Sequence, residues 1–235
     1  MIDAIRNVYS LMDELSGVTS PTDVYMIGGG ALIFNGAKAV TKDVDLVVRT
    51  REAFDRVAGA LACIGFRQTR PDAGCAREHP SGIYERDDGI RVDMFETVVC
   101  GRLSLSDGMA SRAVPAYSSG NVHLLVCSPT DILVFKSVTG RDGDQQDSAG
   151  IVESGTVDWD AALDEIRAQT ADGEEVWITW IADSLFALGE RYGYRIPIMR
   201  ELLGMADAYL ERWEGEMEAK AWELEGKRIP APPQE

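Results

Sequence analysis

Met26-Ile27-Gly28-Gly29-Gly30-Ala31-Leu32 is followed, after a gap, by Thr41-Lys42-Asp43-Val44-Asp45-Leu46-Val47-Val48. An apolar run enters three glycines, and a second apolar run opens with two carboxylates one residue apart. Side chains alternate along a strand, so an extended Asp43-Val44-Asp45 points both carboxylates one way and Val44 into the core. Two carboxylates on one edge repel unless a cation sits between them. Hard oxygen donors of this kind suit Mg²⁺, which keeps waters and bridges to substrate phosphates. The glycines give a turn where backbone N–H groups approach a phosphate closely. A third acid lies in another strand-like run, Arg91-Val92-Asp93-Met94-Phe95. Taken singly, three glycines are a turn, Asp-x-Asp in an acidic chain is solvated surface, and Asp93 is an edge charge. Their order (strand, glycines, helix-length gap, strand carrying both acids, further acid) favours a functional site.

These residues resemble the nucleotidyltransferase superfamily, whose fold is that of polymerase-beta-like enzymes. Its signature is a hydrophobic residue with Gly-Gly or Gly-Ser, a gap, Asp-hydrophobic-Asp/Glu-hydrophobic, and a separate hydrophobic-acid-hydrophobic strand. Ile27-Gly28-Gly29, Asp43-Val44-Asp45-Leu46 and Val92-Asp93-Met94 match its three parts. The gap, residues 30 to 42, is at the long end of the pattern. Within the superfamily the chain looks most like the minimal prokaryotic branch that includes AbiEii-type toxins of two-gene toxin–antitoxin systems. Those carry a later Lys and an Arg-x-x-Asp-x-x-Asp-like element, matched here by Lys136 and by Arg141, Asp144 and Asp147. The resemblance spans roughly residues 22 to 153.

It implies an α/β (α+β) fold: a mixed, mostly antiparallel sheet flanked by helices, with a C-terminal helical region. It also implies transfer of an NMP group from an NTP to an acceptor hydroxyl with Mg²⁺ or Mn²⁺. Asp43, Asp45 and Asp93 would hold metal, two ions stabilising attacking and leaving oxygens. Gly28, Gly29 and Gly30 would cradle the nucleotide's phosphates. Lys136 would neutralise charge on the departing pyrophosphate, with Arg141 and Asp147 also lining the nucleotide site. The acceptor is open: RNA, protein or a small molecule, as in antibiotic-modifying enzymes. A catalytically inactive nucleotide- or protein-binding module of the same fold is the other alternative.

From the residues alone, Lys136 has two readings. It shares the inward stripe of Ile132 and Leu133, so it either snorkels to the surface or reaches into a cleft. Arg141 either meets a phosphate or pairs with the acids that follow it.

Composition narrows the partners. The net charge is −16, with five lysines against eighteen arginines in 235 residues. Acidity with little lysine resembles cytosolic proteins of salt-loving archaea, where molar salt shortens the Debye length to ~3 Å. No broad basic face is available for non-specific nucleic-acid binding. Cys63, Cys75, Cys100 and Cys127 show no Cys-x-x-Cys spacing, and with only His79 and His123 there is no zinc set. They read as reduced thiols of a cytoplasmic protein. There is no membrane-spanning run and no signal-peptide pattern.

Along the chain, periodicity predicts an opening amphipathic helix over residues 2–15, strands over 24–27 and 44–48, and helices over 31–36 and 52–64. Further strands are expected near 66–70, 82–86, 90–96 and 121–126, with loops over 71–80 and 104–119. Ser128-Pro129-Thr130-Asp131 is a helix start, with Ser128 as cap and Pro129 at the first helical position. That helix is expected to run to about Thr139. Helices near 158–168, 174–192 and 197–225 follow, with aromatic stripes that read as core. The last helix outruns the core and would pack on a dimer mate or an antitoxin. The expected division is a catalytic domain over 1–153, a helical domain over 154–228 and a disordered tail over 229–235.

Overall fold

The computed structural model describes residues 3–39, 41, 43–70 and 80–224. The expectations placed on Cys75, His79, the loop over 71–79 and the tail over 229–235 lie outside them. Val8, Leu11, Met12 and Leu15 recur at helical spacing and bury one face of helix α1 (Asp3–Ser16). The chain continues through β1 (Thr22–Met26), α2 (Gly28–Phe34), β2 (Val44–Val48), α3 (Arg51–Cys63), β3 (Arg67–Thr69), β4 (Gly82–Glu85) and β5 (Arg91–Glu96). After a small hairpin of β6 (Val98–Val99) and β7 (Leu103–Ser104) come α4 (Asp107–Arg112), β8 (Val114–Ser119) and β9 (Val122–Val126). The rest is helical: α5 (Pro129–Lys136), α6 (Asp142–Glu153), α7 (Trp159–Gln169), α8 (Trp177–Tyr192) and α9 (Met199–Leu224).

Seven strands form one mixed sheet in the order β3-β4-β5-β2-β1-β9-β8. The pairs β3–β4, β4–β5, β1–β2 and β8–β9 are antiparallel, while β2–β5 and β1–β9 are parallel. The sheet is thus mostly antiparallel, as expected. Strand β2 lies near its middle, and Leu46, Val47 and Val48 are all fully buried, the unbroken apolar run of a strand covered on both faces. Two joins matter most for the site. The parallel β2–β5 pair brings the starts of those two strands side by side, and the antiparallel β1–β2 pair sets the end of β1 against the start of β2, while β1–β9 extends the sheet beyond β1.

Two expectations are corrected. Residues 104–119 are not a loop. Ser106 caps α4 by accepting from Met109 N, and β8 runs along the edge of the sheet. The sequence hides both elements: α4 buries little beyond Met109, and β8 carries Pro115, a register shift and an exposed Val114. Proline and bulges are what edge strands tolerate. The helix after β1 also begins earlier than expected, with the glycines themselves as its first turn.

The start of α5 is as read. Ser128 Oγ accepts from Asp131 N and Pro129 opens the helix, which ends at Lys136. α7 packs on α5, and α8 on α9. A buried apolar cluster runs from Val8 to Ala206. Ile181, Leu185 and Leu188 of α8 and Leu202 of α9 are buried, but Leu210 and Trp213 are 45% and 48% exposed. The aromatic stripe of α9 therefore leaves the core over its second half. No helix among the described residues is long and apolar enough to cross a membrane.

Candidate active site

The site is built where β1 ends and β2 and β5 begin. Met26 is in register with Leu46, and Ile27 N donates to Asp45 O at 3.1 Å. The glycine turn therefore lies directly on the first acid strand. Gly28 has φ of +60°, and a Cβ there would come 2.1 Å from Asp45 Oδ2. Only glycine leaves room for that carboxylate. At Gly29 a Cβ would lie 2.7 Å from Thr41 Oγ1. Gly30 packs against Met26 instead. The first turn of α2 has no side-chain cap.

Parallel register places Asp45 opposite Asp93. Burial first, and then the charge of Asp93, pushes the Asp45 carboxyl up to about 7. Asp93 is 2% exposed and clasped at both oxygens by Arg91, Nε to Oδ1 at 2.8 Å and Nη2 to Oδ2 at 3.0 Å. The same Nε lies 3.8 Å from Asp43 Oδ1. Asp43 is the more open acid, its side chain 40% exposed.

On the facing helices, Lys136 is buried and does not snorkel. Its Nζ donates to Asp144 Oδ1 at 2.6 Å and meets Asp147 Oδ2 at 2.9 Å. Burial pulls its pKa down, but Asp144 and Asp147 outweigh this and hold it above the ordinary lysine value. Arg141 pairs with Asp144, Nε to Oδ2 at 2.6 Å. Burial raises the Asp144 pKa, and the bonds from Arg141, Lys136 and Thr139 more than reverse that. Asp147 bridges Lys136 and Lys38.

A cavity of about 70 Å³ gathers these groups, lined by Gly28, Gly29, Asp45, Lys136, Arg141 and Asp144 among others. Thr139 and Arg141 are shared with a neighbouring cavity of about 400 Å³ that reaches Gln145 and Trp180. Cys100 also lines the first cavity, and burial pushes its thiol up to about 12, so it is no nucleophile at neutral pH. Of the residues singled out from sequence, Asp43, Asp93, Gly30 and Asp147 flank this cavity's lining without belonging to it.

Asp43 and Asp45 fit a divalent cation in three respects: hard oxygen donors, crowded negative charge, and room over Asp45 left by Gly28. Asp93 does not join them as placed. Among the described residues no group of three or more Asp, Glu, His or Cys side chains is arranged to hold one ion. Both oxygens of Asp93 already serve Arg91.

The sequence profile of a family described as nucleotidyltransferase of unknown function (DUF6036) matches residues 3–179. The chain belongs to this family. No curated protein matches it in sequence. Among solved structures it is similar to ANT(2")-Ia in complex with adenylyl-2"-tobramycin, at 11% identity and a TM-score of 0.42, over 82% of this chain and 99% of that one. It is also similar to JHP933 from Helicobacter pylori, at 14% identity and a TM-score of 0.38, over 93% and 96% of the two chains.

In this nucleotidyltransferase-family chain two residues, Arg91 and Lys38, escaped the sequence reading, and a third, Asp144, was read only in part. Arg91 carried a usable signal, since it sits two residues before Asp93 and so on the same strand face. Asp144 was legible as a helix neighbour of Asp147 but not as the partner of Lys136. Lys38, which pairs with Asp147 across 109 positions, gave no local sign.

Proposed function

We propose that this protein is a metal-dependent nucleotidyltransferase that moves an NMP group from an NTP to an acceptor hydroxyl. The observation that carries this is the placement of Asp45 beside Asp93, under a glycine that clears space for the carboxylate, with Lys136 lining the same cavity. Asp43 and Asp45 would hold Mg²⁺ or Mn²⁺, and Asp93 would complete the set. The cation supplies charge neutralisation at the transferring phosphoryl group. Gly28 and Gly29 offer close backbone approach for the phosphates, Gly30 supports that turn, and Lys136 offsets charge on the pyrophosphate. Arg141 would hold Lys136 in place through Asp144, and Asp147 would hold it directly while also pairing with Lys38. The acceptor oxygen forms a bond to the α-phosphorus, the bond to the bridging oxygen breaks, and pyrophosphate leaves. Asp93 favours loss of the acceptor's proton to solvent.

The sequence resemblance extends this reading to the toxin of a toxin–antitoxin pair, acting in the cytoplasm, with an antitoxin or a second copy on α9. The acidic composition supports a halophilic source. A second reading, a nucleotide-binding module without turnover, has one observation behind it: Asp93 is already satisfied by Arg91.

The test is incubation of the purified protein with each α-³²P-labelled NTP, Mg²⁺ and cell extract, in low and molar salt. Label fixed to RNA, protein or a small molecule, and lost in Asp45→Ala, is the expected result and names the acceptor class. Nucleotide binding with no label fixed under any condition, from folded protein, would favour the silent module. Growth arrest on expression would support the toxin role.

A further inference from the structure

We propose that Arg91 is a positioning residue that competes with the divalent cation for Asp93. The chain would then load its site in two stages: Asp43 and Asp45 take a cation first, and Asp93 is released only when nucleotide phosphate draws Arg91 away. This rests on the nucleotidyltransferase reading above. Three observations carry it. Asp93 is 2% exposed and spends both oxygens on one guanidinium, at 2.8 and 3.0 Å. A bidentate fork of this kind is among the stronger side-chain pairs and occupies one lone pair on each oxygen, on the side where a metal would bind both oxygens together. Arg91 is itself mostly covered, its side chain 16% exposed, and its Nε lies 3.8 Å from Asp43 Oδ1. One guanidinium thus faces two of the three acids. Lastly, no three-carboxylate group is assembled among the described residues, although register sets Asp45 and Asp93 opposite each other.

The competition follows from charge. A cation that takes Asp93 must either displace the guanidinium or share a carboxylate with it, and two cations forced onto one carboxylate repel. A displaced, mostly covered guanidinium needs another anion, and planar forks suit phosphate as well as carboxylate. The triphosphate is the anion that the reaction itself brings. Metal and nucleotide would therefore bind cooperatively, each lowering the cost of the other.

Mn²⁺ titration of the purified full chain, followed by electron paramagnetic resonance, tests this without turnover. The unmodified protein should bind one tight Mn²⁺ per chain, and a second only with a non-hydrolysable NTP analogue. Arg91→Gln should bind the second Mn²⁺ without nucleotide, with affinity improved about tenfold or more, the scale on which groups that orient ligands act. Asp93→Asn in the Arg91→Gln background should remove that gain, and Arg91→Lys, a point charge without the fork, should fall between. Two tight Mn²⁺ ions on the unmodified protein without nucleotide would overturn the proposal. So would Arg91→Gln that is folded by circular dichroism and binds Mn²⁺ as the unmodified protein does. If Arg91→Gln fails to fold, the analogue-dependent second ion on the unmodified chain decides the matter by its presence or absence. Mn²⁺ binding insensitive to Asp45→Asn would remove the underlying metal reading, an outcome distinct from a failure of Arg91 alone.

Discussion

Two ionic clusters in this molecule use the same residue types to opposite ends. In one, Arg112 joins Asp131 and Glu165, each at 2.6 Å, with those carboxylates 0% and 4% exposed. Ser128 Oγ also donates to Asp131, and Gln169 Nε2 to Glu165. Asp131 sits in the first turn of α5, where the helix dipole favours negative charge. Each oxygen has a donor, and α4, α5 and α7 are tied together. In the other, Arg91 clasps Asp93 and lies 3.8 Å from Asp43, while Asp45 stands in register with Asp93. Asp45 is left crowded and pushed up to about 7. A balanced cluster holds structure; an unbalanced one, kept beside a glycine turn and a buried lysine, is where the proposed mechanism would seat its cation.

Asp45→Asn is the sharpest way to break the comparison. It should lower transfer on the order of 10³-fold, the loss typical of removing central charge stabilisation. Thermal stability should hold or rise, because one member of a crowded pair has gone. Turnover within a few-fold of the unmodified protein would sink the mechanism. Asp131→Ala should do the reverse. Leaving Arg112 with one partner in a buried setting costs about 3 kcal/mol. For a chain of this size that is a fall in Tm of roughly 6–12 °C. Turnover per folded molecule, measured below the transition, should be unchanged. A large loss of turnover in folded Asp131→Ala would show that the two clusters are not separate.

Gly28→Ala sharpens the boundary between backbone strain and site chemistry. A methyl group at Gly28 would come 2.1 Å from Asp45 Oδ2, while Gly36 has φ of +73° and nothing within 4 Å of an added Cβ. Both substitutions carry the left-handed strain of about 1–2 kcal/mol. Only Gly28→Ala should also lose turnover, about 10²-fold on the scale of a misplaced catalytic group. Equal turnover in the two variants would mean that Gly28 serves the turn and not Asp45.

The same contrast explains what the sequence revealed. Strand β2 and its two acids were legible because an unbroken apolar run and a period of two are local signals. The glycine turn was legible for the same reason, although its helix begins at Gly28 and not after the glycines. Strand β8 and helix α4 were not, because an edge strand with Pro115 and a two-turn helix with one buried apolar residue carry weak periodicity. At the site, Asp45 facing Asp93 follows from parallel register, which no single strand states. The Lys38–Asp147 and Arg112–Glu165 contacts join distant segments, and such pairings exist only once the fold is formed. Arg91 differs from these: its spacing of two to Asp93 is a local signal, but an arginine beside an acid on a strand does not state that it clasps both carboxylate oxygens.

The smallest expected effect is the opposite pH response of two carboxylates. Asp144 has its pKa lowered in the fold, so its contribution to stability is complete above the unfolded value and is lost as acid protonates it. Asp45 is raised from 3.8 to about 7, so between those values the folded state holds its proton more readily than the unfolded chain does. Its contribution to stability therefore falls as pH rises through that window, and metal-free protein should weaken toward neutrality on this account. Urea unfolding of metal-free protein across roughly pH 4.5 to 7.5 should show a shallower decline in Asp45→Asn than in the unmodified chain. Asp144→Asn should keep the decline and lose stability nearly evenly across that window, because its contribution is already complete above the unfolded value. An Asp45→Asn slope identical to that of the unmodified protein would place the Asp45 carboxyl among ordinary, well-solvated acids, and the unbalanced cluster would then have no energetic signature of its own.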